Sequence, residues 1–332
     1  MPEPKPAARF ARLRQVLPIL GTVLLLGWFF ASTDLAAVAD NLRRADLVAY
    51  AAVVVVTTLA IWLYDSLCLV WLVRVTLGQR GRPAPVTLAA IAPIKAASYV
   101  LNILNYHAAT LGVAWLVGRR KGVPFLEAAG ALAALGYIDL VAVTAMAVLG
   151  LVLAPDVVGL SAGQQQALQG VAAGIFGAAL LTTLLLQSGW RLPLLVRLRQ
   201  LAVLRPLSAL GPWQMVQGVL LRSGLVLGYT ASAYLIMRTF GMTPDWPRMF
   251  VAVPIITVVG TLPISVSGLG TTQMMMRSFY APFVTDGRDP QFVVDAFSTC
   301  LIVGYISCRL LVAAPFLRSV LAELRSRTEQ DS

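Results

Sequence analysis

The side chains best suited to hold a ligand lie inside a long apolar segment. Residues 261–273, TLPISVSGLGTTQ, contain a proline, two glycines, three threonines, two serines and a glutamine, although the residues before them are apolar. Hydroxyl and amide groups donate and accept hydrogen bonds, and glycine permits unusual backbone dihedrals that free main-chain amides. This segment therefore predicts a site that holds a polar group by hydrogen bonds.

A second polar cluster interrupts the apolar segment 86–118. It contains two asparagines, the single histidine of the chain and a threonine. For the lone histidine, a hydrogen bond within the protein is the alternative role. We predict that both interruptions line a substrate site. The candidate binding residues are Asn102, Asn105, His107, Thr110, Ser265, Ser267, Gly268, Gly270, Thr272 and Gln273.

The sequence offers few groups for covalent or metal chemistry. One histidine cannot build a multi-histidine metal centre, and Cys68, Cys300 and Cys308 do not have the spacing of metal ligands. The sequence also contains no nucleotide-binding loop and no recognisable Ser/His/Asp order. We expect no catalytic residue, no metal and no cofactor, and therefore no enzyme.

The composition predicts that these groups lie within a membrane protein. The chain has 332 residues, of which 58% are hydrophobic and 12% charged, whereas soluble domains average about 25% charged residues. Several apolar runs approach or exceed the roughly 20 residues that cross a bilayer, which predicts an all-α polytopic membrane protein. The net charge of +11 comes mostly from residues at span ends, where they fix orientation, so we expect no nucleic-acid partner.

Hydrophobicity and loop charge predict about six full spans. Their bounds are 16–33, 47–73, 125–153, 167–189, 212–240 and 291–317. Residues 34–46 have the pattern of a short amphipathic helix on the membrane surface. Arginine clusters predict a multi-pass protein of the cell (inner) membrane with both termini cytoplasmic. The expected parts are a basic N-terminus (1–15), one transmembrane domain (16–318) and a cytoplasmic tail (319–332).

Two further apolar segments, 86–118 and 248–280, carry the polar interruptions. The charge distribution requires the first to begin and end inside and the second outside, so each is a re-entrant hairpin or a pair of short spans. With their flanking spans they form two units of opposite orientation, 47–153 and 212–317. Inverted repeats with broken helices are a transporter architecture, and irregular backbone at membrane depth requires surrounding protein or a wet cavity.

Ionisable side chains within the apolar segments need a partner or a cavity. Asp65 and Arg222 occupy corresponding spans of the two units, so we predict an ion pair between them. Asp139 and Arg309 correspond in the same way. Lys95 either faces a cavity or extends to the surface. Two roles are open for Arg277: contact with a lipid phosphate, or extension to the outer surface.

Two motifs resemble a known family. TLPISVSGLGTTQMMM, from Thr261, and YVLNILNYHAATLGVAWLVGRRKGVPFLEA, from Tyr99, resemble the two signatures of the flippase-like family named after the transmembrane region of lysylphosphatidylglycerol synthase. Thr110 and Gln273 stand where the family has its acidic residues. Arg309 lies where the family commonly has arginine, so the resemblance adds it to the candidate binding residues. The second motif matches at Pro263, Ser265, Gly268, Leu269 and Gly270.

The resemblance and the two polar interruptions together predict a lipid flippase or related lipid transporter. Its substrate would be a membrane lipid, either a phospholipid or a polyprenyl-phosphate-linked sugar. The alternative is a non-transporting membrane partner of a lipid synthase or a glycosyltransferase. Because fourteen residues follow Arg318, we do not expect the aminoacyl-transferase domain of the namesake enzyme in this chain.

Overall fold

The computed structural model describes residues 27, 34–77, 86–104, 106–153, 162–188, 190, 192–261 and 270–328. All regular structure in these residues is helical. The helices are α1 Leu35–Arg44, α2 Leu47–Leu77, α3 Leu88–Leu104, α4 Tyr106–Lys121, α5 Phe125–Leu153, α6 Ala162–Gln187, α7 Pro193–Gln200, α8 Arg205–Ala209, α9 Pro212–Thr239, α10 Trp246–Thr261, α11 Thr271–Tyr280 and α12 Pro290–Thr328, with a 3₁₀ turn at Ala281–Phe283.

Five of the described helices, α2, α5, α6, α9 and α12, are long and apolar enough to cross a membrane. They coincide with five of the six predicted spans, and α5 has the predicted bounds. The first predicted span, 16–33, lies outside the described residues apart from Gly27. Helix α12 extends past the predicted end at residue 317 to Thr328, so the start of the predicted tail continues the helix.

The helix expected within residues 34–46 is present as α1. Asp34 caps it, because one carboxylate oxygen accepts the backbone N–H groups of Ala36 and Ala37 at 2.9 and 3.2 Å. Val38 is buried, whereas Asp40 and Arg44 are exposed. This separation of apolar and charged faces allows α1 to pack against α12 along one side.

In the described residues, each segment with a polar interruption comprises two helices. Only residue 105 separates α3 from α4, whereas residues 262–270 separate α10 from α11. The first helix of each segment contains an internal proline, Pro93 in α3 and Pro254 in α10. The two helices of each segment also contact each other, so neither segment is one continuous helix.

The helix contacts follow one scheme in both halves of the chain. Helix α2 packs on α3, α3 on α4 and α4 on α5; likewise α9 packs on α10, α10 on α11 and α11 on α12. Between the halves, α5 packs against α9 and α10, and α12 packs against α2 and α3. Helices α2 and α9 pack against each other, which places them at the junction of the two halves.

The buried apolar side chains form two main clusters. One lies toward the end of the molecule formed by residues 74–77, 86–88, 118–128 and 192–212, which we call the basic end because it holds many arginines. The other lies toward the opposite end, formed by residues 34–46, 240–247 and 281–290. The first cluster includes Leu69, Leu72, Ile91, Ile94, Val117, Ile138, Leu210 and Met215. The second includes Val54, Ile236, Phe240, Met249, Tyr280, Phe283, Phe297 and Leu301.

Arg288 joins three segments at the opposite end. Its guanidinium donates to the Asn41 side chain on α1 at 3.1 Å and to the Phe240 carbonyl after α9 at 2.7 Å. It also donates to the Asp286 carboxylate at 2.6 Å, and this hydrogen bond lowers the pKa of Asp286. The backbone of Asp46 donates to the Thr239 carbonyl at 2.9 Å, so the start of α2 adjoins the end of α9.

Candidate functional site

Seven polar side chains from five helices meet near the boundary of the two apolar clusters, and we call them the polar layer. On α2, Asp65 lies between Val54 of one cluster and Leu69 of the other. Arg222 lies between Met215 and Ala233 on α9 in the same way. The members of the polar layer are Asp65, Lys95, Tyr99, Asp139, Arg222, Tyr305 and Arg309.

Four charged side chains of the polar layer form a chain of alternating sign. The Lys95 ammonium lies 2.7 Å from one carboxylate oxygen of Asp65, whose other oxygen accepts from Arg222 Nη1 at 2.6 Å. Arg222 also donates to both oxygens of Asp139, with 2.7 Å between Nη2 and Oδ2. The structure thus contains the predicted contact of Asp65 with Arg222, and it gives Lys95 a carboxylate partner.

The partner of Asp139 differs from the one suggested by the correspondence of spans. Asp139 contacts Arg222 on α9, whereas Arg309 on α12 lies over tyrosine rings. The contacts between helices explain this choice, because α5 packs on α9 and its mid-point faces Arg222. Arg222 therefore forms ion pairs with two carboxylates, one from α2 and one from α5.

Three members of this charge chain lie deep within their helices. Asp65, Asp139 and Arg222 lie at least ten residues from either end of α2, α5 and α9, which corresponds to about 15 Å of helix. The side chains of Asp65 and Arg222 are 10% and 9% exposed, and that of Asp139 is 25% exposed. Buried charge is tolerated here because each group is paired and hydrogen-bonded.

Arg309 extends the polar layer to α12 in a different way. Its guanidinium carbon lies 5.4 Å from the ring centre of Tyr99 and 5.8 Å from that of Tyr305, within range of cation–π attraction. Among the described residues, no carboxylate forms an ion pair with it. Arg309 is half-buried, so its donors are available to an anion.

A hydroxyl cluster adjoins Arg309 on the side of the opposite end. The Ser232 hydroxyl lies 2.8 Å from the Thr57 hydroxyl and 2.6 Å from the Tyr305 hydroxyl. These three residues come from α9, α2 and α12. The polar layer is therefore continuous with hydrogen-bonding groups that extend from the charge chain toward the opposite end.

The first interruption adjoins the polar layer through α3. Lys95, Tyr99 and Asn102 are spaced at i, i+4 and i+7, so they lie on one helix face. Asn102 and Thr110 are half-buried, and both make interactions within the protein. Asn105 and the side chain of His107 lie outside the described residues, and their predicted roles remain predictions.

The second interruption is described only at its two ends, because Ser265, Ser267 and Gly268 lie outside the described residues. Gly270 precedes α11 with φ of 89°, a region that side chains with a Cβ rarely adopt. The Gln273 side-chain oxygen accepts the Gly270 backbone N–H at 2.6 Å and faces the Thr272 hydroxyl at 3.3 Å. Gln273 is 4% exposed, so its carboxamide oxygen caps α11 in addition to any contact with a ligand.

Arg277 has a protein partner that neither of its predicted roles included. Its guanidinium makes two parallel contacts with the Asp295 carboxylate, at 2.5 and 2.7 Å, and Asp295 is fully buried. A paired, bidentate guanidinium neither extends freely to the surface nor presents all its donors to a lipid phosphate. In the described structure, Arg277 fixes α11 on α12.

Sequence reasoning missed several members of the site. Tyr99, Tyr305, Ser232 and Asp295 were not predicted, and Lys95 was left between two roles. A usable signal was present in the helical spacing, because Lys95 precedes Tyr99 by four residues, as Tyr305 precedes Arg309. Polar side chains at that spacing in an apolar helix share one face and indicate a polar lining.

A comparison with protein-family models shows the family to which this chain belongs. The family model for the lysylphosphatidylglycerol synthase TM region matches residues 15–308. The chain belongs to the lysylphosphatidylglycerol synthase transmembrane-region family. No curated protein matches the chain.

The family match and the helices agree on the class of protein. The lysylphosphatidylglycerol synthase transmembrane-region family is a membrane domain associated with lipid biosynthesis and flippase-like function. Together with five described helices that are long and apolar enough to span a bilayer, the match makes this chain a multi-pass membrane protein.

Proposed function

We propose that this protein is a flippase-type lipid transporter that carries lipids with an anionic phosphate headgroup between leaflets. One observation carries the proposal: Arg309 lies within a helix long and apolar enough to span a bilayer, over two tyrosine rings and without a carboxylate partner among the described residues. An intramembrane arginine is costly unless something compensates its charge. A lipid phosphate is an anion that matches a guanidinium in both charge and geometry.

The charge of the polar layer defines the headgroup more narrowly. Lys95, Arg222 and Arg309 are cationic, and Asp65 and Asp139 are anionic, so the five ionised groups sum to +1. A headgroup with one negative charge would neutralise this sum. Both an anionic phospholipid and a polyprenyl-phosphate-linked sugar carry a phosphodiester, which has that charge.

The contact scheme supports an inverted repeat as the transport architecture. When α2, α3, α4 and α5 are exchanged with α9, α10, α11 and α12, the main packed pairs map onto packed pairs: α3 on α12, for example, becomes α10 on α5. In such repeats, the substrate site lies near the midplane at the junction of the two halves. Arg222 and its two carboxylates occupy this junction, and alternating access would involve movement of one half relative to the other.

The orientation follows from the arginines at the basic end. We infer that the basic end faces the cytoplasm, because arginine in short loops is retained on that side. The polar interruption after α3 then opens from the cytoplasmic side and the interruption before α11 from the outer side. A lipid headgroup would find hydrogen-bonding groups from either leaflet.

A leaflet-resolved transport measurement tests the function. Purified protein is reconstituted in liposomes with trace fluorescent phosphatidylglycerol or phosphatidylcholine, and dithionite bleaching reports the outer-leaflet fraction with time. We expect faster exchange of phosphatidylglycerol, which carries one negative charge, than of zwitterionic phosphatidylcholine. Arg309→Gln should slow phosphatidylglycerol exchange roughly ten- to hundredfold, because one charge-assisted contact is lost, and Arg309→Lys should retain part of the rate.

The matched control removes an arginine elsewhere. Arg238 is exposed near the end of α9, so Arg238→Gln should exchange lipid at the wild-type rate. A wild-type rate for a folded Arg309→Gln variant would disprove the phosphate role of Arg309. If the wild-type protein moves neither lipid, the alternative of a non-transporting partner of a lipid synthase or glycosyltransferase would be favoured.

A further inference from the structure

A cleft of about 430 Å³ lies at the basic end, outside the polar layer. It is formed where α4 ends, where the chain turns at residues 122–124 and where α5 begins. Gly122 has φ of 62° at this turn, and the Val123 backbone N–H closes it by donating to the Gly118 carbonyl at 2.8 Å. The floor of the cleft is therefore fixed by backbone.

The rim of the cleft is cationic. Arg119 lines it with its guanidinium carbon 5.4 Å from the ring centre of Trp115, which is another lining residue. Arg119 is followed in the sequence by Arg120 and Lys121, so α4 ends with three positive charges. The C-terminus of a helix stabilises cations through its partial negative charge. Arg119 and Arg120 make further interactions within the protein, and together their guanidinium groups give the rim a positive charge.

The other side of the cleft is apolar and exposed. Phe125 lines it and begins the apolar helix α5, and Leu126 follows; their side chains are 44% and 56% exposed. Trp213, at the start of α9, is 68% exposed, as is typical of residues at the membrane boundary. A ligand that satisfies both sides must carry an anionic group and a hydrocarbon chain.

We propose that this cleft binds the headgroup of an anionic phospholipid from the leaflet at the basic end. The phosphate contacts Arg119 against the wall formed by Trp115, and the acyl chains lie beside Phe125 and Leu126. Basic clefts at the cytoplasmic ends of spans recognise anionic headgroups in this way. The site is separate from the polar layer, and its occupancy does not depend on whether the protein transports lipid.

Lipid binding to the delipidated full-length protein tests the site. In native mass spectrometry, titration with phosphatidylglycerol should show a binding event that phosphatidylcholine does not reproduce and that persists in the Arg309→Gln variant. Arg119→Gln should weaken this event roughly ten- to hundredfold. Arg197→Gln, which removes an exposed arginine of α7 at the same end, should leave it unchanged.

Two further measurements locate the site and exclude a soluble ligand. Phosphatidylglycerol with a photoreactive acyl chain should label the peptide that contains Phe125 and Leu126, and Trp115→Ala should reduce the labelling. Inorganic phosphate at millimolar concentration should not displace the lipid. The proposal is overturned if Arg119→Gln behaves like Arg197→Gln, if phosphatidylcholine binds equally, or if phosphate competes.

Discussion

At the scale of single residues, Arg222 is the group on which most of the polar layer depends. Its guanidinium contacts Asp65 from α2 and Asp139 from α5, so three helices meet at one side chain. Removal of one partner from a buried ion pair leaves an uncompensated charge, which costs far more than the pair contributes. Substitutions of these three residues should therefore differ in how much they destabilise the protein.

We therefore expect Arg222→Met to be the most damaging single substitution in the charge chain. It leaves two carboxylates facing each other and should destabilise the protein by about 3–5 kcal/mol. Asp139→Asn should cost less, because Arg222 keeps Asp65. The double variant Asp139→Asn/Arg222→Met should recover about 0.5–3 kcal/mol relative to the sum of the single losses. The measurement is the free energy of unfolding in detergent micelles.

Asp40 and Arg44 on α1 provide the matched control. They form an ion pair at 2.7 Å with side chains 53% and 61% exposed. Water screens such a pair, so its coupling should be roughly 0.3–0.5 kcal/mol. Strictly additive losses for Asp139 and Arg222 would show that the two side chains do not interact.

At the scale of elements, the start of α11 depends on backbone conformation. Gly270 adopts φ of 89° and its N–H is held by Gln273, so the helix can start only if this residue has a positive φ. Helices α10 and α11 also lie close together, because a Cβ added at Gly260 in α10 would lie 3.1 Å from the Thr272 methyl group in α11. Backbone conformation, a hydrogen bond and close packing therefore fix the start of α11.

Gly270→Ala should destabilise the protein by roughly 1–2 kcal/mol, because an L-residue is strained in this conformation. Gly174→Ala is the control: Gly174 lies within α6, and an added Cβ meets nothing within 4 Å, so alanine should be neutral or raise stability slightly. Thermal unfolding of both variants in the same detergent provides the comparison. Equal melting temperatures would mean that the positive φ carries no energetic constraint.

At the scale of the whole molecule, the contacts group the chain into two ends. Arg199 donates to the Leu185 carbonyl and the Ser188 hydroxyl at the basic end, and Arg205 lies 3.7 Å from Glu127 there. Arg288 joins α1, α9 and the turn before α12 at the other end. Because each end is internally connected, all its loops should face the same side of the membrane.

Labelling of single cysteines tests this arrangement in a protein in which Cys68, Cys300 and Cys308 have been replaced. Cysteines at Thr87, Pro124 and Gln200, which are exposed at the basic end, should react only with reagent supplied from the cytoplasmic side. A cysteine at Asp286 should react only from the outer side. If Thr87 and Pro124 report opposite sides, α3 and α4 together cross the membrane once, and the inverted-repeat proposal fails.

Local features of the sequence were sufficient to determine the class of protein and the positions of most helices. The bounds of α5 follow from a long apolar run, and the ends of α3 and α10 follow from polar residues and glycines within apolar segments. These features involve neighbouring residues only, because run length, helical spacing and backbone preference are properties of a short stretch of chain.

The tertiary structure decided which charged groups meet. Arg222 contacts a carboxylate 83 positions away, and the structure assigns Asp139 to it rather than to Arg309. Arg277 likewise pairs with Asp295 on the following helix. Many pairings were compatible with the sequence, because several acids and bases occur at similar depth. Helix packing brings one set within contact distance, and that packing leaves Arg309 over Tyr99 and Tyr305 without a carboxylate among the described residues.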